Sequence, residues 1–116
     1  MIAIPIDSAI PGTKSSQNFT SAEMFALKSD NIKYPFIHLN AGSGDVMETA
    51  NYLKKEGVDT VVFSHMNENL YKALDESDIN VYYIGKESLK VYEILDGLKE
   101  EQFLKVEADE AKKYLD

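Results

Sequence analysis

Isoleucine falls at every second position of residues 1–6, which predicts a short strand with one apolar face. Pro5 has no N–H to give to a ladder, so pairing is expected to end close to it. The alternation then stops. Residues 7–20 are polar and broken by Pro11 and Gly12, a loop of a length that is uncommon in a compact domain and often functional. Residues 23–29 read as a second strand, Asp30 and Asn31 as a turn, and residues 32–39 as a third strand. Pro35 inside that third strand requires it to lie at a sheet edge.

A helical period begins after Asp45. Val46, Met47, Ala50 and Leu53 share one face, Asp45 sits at the positive end of the helix dipole, and Gly57 follows Lys54 and Lys55 as a C-terminal stop. Residues 60–63 form a run without alternation, as in a strand covered on both faces. Asn67 is a good N-cap for a helix through Leu70 and Leu74, with Met66 and Tyr71 spaced as a hydrophobic staple. Residues 81–84 repeat the buried-strand pattern. Val91, Ile94, Leu95 and Leu98 then mark a third helix, with Ser88 as its expected cap. The order β-β-β-α-β-α-β-α, joined by right-handed crossovers, gives one five-stranded mixed sheet of order 3-2-1-4-5 with helices on both faces. This is a three-layer α/β/α, ribonuclease H-like fold. Residues 1–98 make up the predicted domain. Residues 99–116 are expected to be a charged, helical C-terminal tail, either lying on the domain or acting as an arm for self-association or a protein partner.

Composition narrows the function. The chain has 116 residues, 44% hydrophobic and 28% charged, as expected for one folded domain. Its formal net charge of −8, with no local basic patch, argues against nucleic acid as a partner. Without cysteine, one chain offers no disulfide, thiolate zinc site or cysteine-ligated iron–sulfur cluster. No apolar run approaches the roughly 20 residues of a membrane span, and the first residues lack the features of a signal peptide. A cytoplasmic protein without membrane contact is expected.

In the predicted topology the carboxyl ends of strands one and four open on the same side, where ligands of open α/β sheets usually bind. Asp7, the loop through Asn18 and Phe19, the turn with Ser43 and Gly44, and His65 converge there. The glycine turn opens a helix whose free N–H groups favour an anion, although such a turn is more often only a flexible lead-in. Asp7 is equally suited to a simple turn after a strand. A two-metal nuclease needs several carboxylates at this end. The fourth strand ends in Ser64 and His65 with no acid to complete the set, so that chemistry is excluded. His38 shares a strand face with Tyr34 and Phe36 and reads as structural. His65, beside Met66 at the mouth of the site, is the candidate metal or anion contact, against the common alternative of an idle surface histidine. No Ser–His–Asp, H-x-x-H or thiol arrangement exists, so the expectation is a protein without catalysis.

Several segments resemble the dinitrogenase iron–molybdenum cofactor biosynthesis family. Residues 2–7, IAIPID, are similar to its strand-one motif I-A-V-P-x-D. Ser16-Gln17-Asn18-Phe19-Thr20, with Ala22 and Phe25, resembles its S-x-H-F-G-x-A-x-x-F stretch, with Asn18 and Thr20 standing where the family has histidine and glycine. Residues 49–59 resemble its helix-to-strand junction, and residues 67–74 with 79–82 its next helix and last strand. The resemblance implies a nitrogenase-accessory binding protein that carries an iron–sulfur or iron–molybdenum cluster, or a small anion, without turnover. The site it implies draws on Asp7, Asn18, Phe19, Ser43, Gly44 and His65, with His65 as the metal contact. The alternative is a protein-interaction or regulatory module of the same fold that has lost cluster binding, as the Asn18 and Thr20 departures allow.

Overall fold

The structure, a computed structural model, describes residues 1–10, 12–40 and 44–116. Along the chain lie β1 (Ile2–Ile6), β2 (Met24–Lys28), β3 (Phe36–Leu39), α1 (Val46–Lys55), β4 (Thr60–Phe63), α2 (Glu68–Glu76), β5 (Asn80–Tyr83), α3 (Val91–Lys99) and β6 (Leu104–Lys105), followed by a 3₁₀ turn at Ala111–Lys113. The strands form one mixed sheet of order β3-β2-β1-β4-β5-β6. β1 runs parallel to β4, and β4 to β5, while β2, β3 and β6 pair antiparallel with their neighbours. The predicted strand order is observed, and a sixth strand extends it.

Period-two alternation sorts the strand side chains onto two cores. Ala3, Phe25, Leu27, Val61, Phe63 and Val81 pack with Leu53 of α1 and Leu70 and Leu74 of α2. Ile4, Ile6, Ala26 and Val62 pack with Ile94 of α3 on the opposite face. The result is the expected three-layer arrangement, with two helices on one face and one on the other. Pro5 fits because its strand loses one neighbour there. The β4 register covers only Ile2 and Ala3, whereas β2 pairs on through Pro5 to Ile6. The proline therefore limits pairing on one side only.

Helix boundaries follow local chemistry. The Asp45 carboxylate accepts from the Glu48 N–H at 2.9 Å and opens α1. Asn67 Oδ1 accepts from the Leu70 N–H at 2.7 Å and opens α2, with Met66 and Tyr71 both buried beside it. Replacing Asn67 by alanine orphans that N–H and is expected to cost about 1 kcal/mol, read as a lower urea midpoint with an unchanged slope. All three helices close with paired backbone bonds of the Schellman type: Val58 to Leu53, Ile79 to Leu74 and Gln102 to Gly97. Only the first uses glycine at the left-handed position, Gly57. Asp78 and Glu101 fill it in the others.

Three expectations are corrected. The third strand starts at Phe36, directly after Pro35, and so does not contain the proline. It is nevertheless the edge strand that the proline required. Ser88 does not cap α3. Its hydroxyl is hydrogen-bonded to the Gln17 side-chain amide at 2.9 Å, and the helix begins after Lys90, whose N–H donates to the Glu93 carboxylate at 3.1 Å. The tail is not a helix. Glu101 turns the chain back at φ 56°, β6 pairs with Tyr82 and Tyr83 of β5, and Val106 and Ala111 are buried. The Tyr71 hydroxyl donates to the Val106 carbonyl at 3.1 Å. Burial, reinforced by Asp75, Glu107 and Asp109, raises the pKa of that hydroxyl above the usual tyrosine value, so it remains a donor. The tail is thus part of the domain's packing rather than a free arm.

Candidate functional site

The loop after β1 lies as a strap over the carboxyl ends of the sheet. Ser16 N–H donates to the Pro5 carbonyl at 2.7 Å and Ser15 N–H to the Leu89 carbonyl at 2.7 Å, which fixes the strap beside β1 and the start of α3. Further on it meets the end of β4. His65 N–H donates to the Gln17 carbonyl at 3.1 Å, and Phe19 N–H donates to the His65 carbonyl at 3.0 Å. Asn18 and His65 therefore stand side by side in a single parallel bridge. Gly44 N–H donates to the Thr20 carbonyl at 3.1 Å, joining the lead-in of α1 to the same strap.

Asn18, Phe19, Gly44 and His65 are thus brought together through their backbones. Their side chains differ in what they offer. Asn18 is exposed, and its Oδ1 accepts from the Thr20 and Ser21 N–H groups at 3.0 and 3.4 Å. Its side-chain N–H₂ makes no hydrogen bond among the described residues. Phe19 has no exposed surface and its ring lies 5.3 Å from that of Phe25, so it anchors the strap in the core instead of facing a ligand. Asp7 Oδ1 accepts from the Glu23 N–H at 3.3 Å and ties the end of β1 to the start of β2. Ser43 lies outside the described residues.

His65 is half-buried, and its Nδ1 lies 3.1 Å from Asp116 Oδ1. The Asp116 N–H in turn donates to the Met66 carbonyl at 3.0 Å. Sequence reasoning missed this carboxylate, since a contact between residues 51 apart leaves no local signal. It also missed that the hydroxyls of Thr20 and Ser64 are buried with no hydrogen-bond partner among the described residues. These two residues flank the junction of strap and β4, one following Phe19 and the other preceding His65.

His38 behaves as expected of a structural residue, its ring edge-on to Phe36 at 5.3 Å. A cavity of about 460 Å³ opens elsewhere, between Lys28, Tyr34 and the α3 residues Tyr92 and Leu95 on the other face of the sheet. It shares no residue with the strap.

The family model described as dinitrogenase iron-molybdenum cofactor matches residues 1–101. The chain belongs to this family. Among solved structures, a NifB-like protein of the DUF35 family from Thermotoga superposes with a TM-score of 0.74 at 22% identity, over 90% of each chain. The apo form of the orange protein from Desulfovibrio gigas gives a TM-score of 0.80 at 17% identity, over 90% of this chain and 91% of that one. At these identities the likeness is one of fold. No curated protein matches in sequence.

The donor set of this dinitrogenase iron-molybdenum cofactor family member is sparse. There is no cysteine, and no group of three or more His, Asp or Glu that would hold a metal ion occurs among the described residues. Imidazole is a good ligand for iron and other transition metals, whereas carboxylates and amides suit harder ions. At the strap the one such donor is His65. No helix among the described residues is long and apolar enough to cross a membrane.

Proposed function

We propose that this chain is a small carrier, without turnover, for an anionic metal–sulfur cluster of the kind its family is named for, held where the strap crosses the carboxyl end of β4. The cluster is cargo that brings its own sulfide. One imidazole then suffices as protein ligand, and the remaining hold comes from hydrogen-bond donors. The observation that carries this reading is the locking of His65 between Gln17 and Phe19, which fixes a metal-binding side chain at the sheet end where α/β folds place ligands. The free N–H₂ of Asn18 stands beside it as a donor to an anion. Three buried hydroxyls have no hydrogen-bond partner among the described residues, and two of them, those of Thr20 and Ser64, lie at this junction, where a bound group could meet them. Asp7 has the wrong charge for an anionic cargo, and its role here is the tie to Glu23.

Anaerobic reconstitution with iron, sulfide and molybdate, followed by gel filtration and metal analysis, tests the reading. The native chain is expected to retain metal in stoichiometric amount, and His65→Ala to lose most of it. Equal retention by the variant would remove His65 from the site. A native chain that emerges free of metal would turn the assignment to a protein-interaction module. That second reading draws on the apolar surface of Ile37, Leu39 and Tyr34, exposed at and beside the β3 edge.

A further inference from the structure

The side chain of Asp116 reaches back across the molecule to the histidine at the end of β4, and its position is set by more than that one contact. Its N–H is bonded to the Met66 carbonyl. Tyr114 packs its ring 5.1 Å from Tyr83, and Tyr114 and Leu115 both pack against the larger core. Upstream, Val106 is held by its own N–H to the Val81 carbonyl at 2.8 Å and by the Tyr71 hydroxyl. Residues 102–116 lie beyond the part of the chain that the family model matches.

We infer that Asp116 is a positioning residue that fixes the tautomer of His65, with the proton on Nδ1 and the lone pair on Nε2. An ionised carboxylate only accepts hydrogen bonds, so the nitrogen 3.1 Å from Asp116 Oδ1 must be the one that carries hydrogen. In a neutral imidazole the other nitrogen is then the basic one. Nε2 makes no hydrogen bond among the described residues, and it is the atom left to bind a metal. The carboxylate also raises the donor strength of the ring and holds its orientation, as outer partners of metal-bound histidines do. This use of the lone pair rests on the carrier reading above, but the tautomer itself does not.

The test is ring-nitrogen NMR on protein labelled with ¹⁵N-histidine at mildly alkaline pH, with His38→Gln to assign the two rings. The native chain is expected to show His65 protonated on Nδ1. Asp116→Ala is expected to release that preference toward Nε2 protonation, and Asp116→Glu to restore it. A His65 spectrum unchanged in Asp116→Ala would overturn the inference. In the iron, sulfide and molybdate reconstitution, Asp116→Ala is expected to retain metal about tenfold more weakly or worse. A changed tautomer with unchanged retention would overturn the role of Asp116 in metal binding. If the native chain itself holds no metal, the carrier reading fails, and the NMR result alone decides the tautomer assignment.

Discussion

Phe19→Ala is expected to remove about 3–5 kcal/mol of stability, the range for deleting a fully buried phenylalanine. Whole domains are stable by about 5–15 kcal/mol, so the variant sits near the limit of folding. The ring has no exposed surface and packs on Phe25, which in turn stacks on Tyr52 with centroids 6.3 Å apart. The same residue's N–H holds the His65 carbonyl. Collapse of the cavity would therefore pull on the strap, and amide exchange at His65 is expected to quicken along with the fall in urea midpoint. A loss below about 1 kcal/mol, well short of the usual range, would mean that the strap is held by its backbone bonds alone.

Gly97→Leu is expected to cost about 2–3 kcal/mol, at the upper end of overpacking penalties, and to loosen the tail. Gly97 lies inside α3, where a larger residue would ordinarily gain up to about 1 kcal/mol from helix propensity. Here even a Cβ would sit 2.4 Å from Phe103 Cε2 and 2.7 Å from Cζ, so the ring must leave its place. Phe103 packs against the α3-side core and leads directly into β6. Thermal unfolding of a double-mutant cycle separates the two effects. In a Phe103→Ala background the clash is gone, and Gly97→Leu is expected to be close to neutral or mildly stabilising. Additive losses in that cycle would show that the ring and the glycine do not oppose one another.

The central units of the fold were legible in the sequence because several local signals agreed. For α1 and α2 the apolar period, the acidic or amide cap and the charge of the first turn all point one way. The misread segments are those where a distant partner decided the outcome. Ser88 has the chemistry of a cap, but Gln17 of the strap takes its hydroxyl. The charged tail looks like a helix by composition. Instead it turns back at Glu101, in a left-handed conformation that no glycine advertises, and lays two residues, Leu104 and Lys105, along the edge that β5 offers. At the site, topology alone was enough to bring Asn18, Gly44 and His65 together. What each side chain does there was hidden, since the burial of Phe19 and the pairing of His65 with Asp116 arise only in the packed molecule.

The two margins of the sheet have different futures in contact with other molecules. At one end β6 spans only two residues and carries Lys105, so it offers another chain little to zip onto. At the other, β3 presents four residues with exposed Phe36, Ile37 and Leu39 and no charge among them. Growth by strand addition is therefore polar. A second molecule that docks along β3 meets its own blunt end on the far side, so such pairing closes at two copies instead of running on into a fibre.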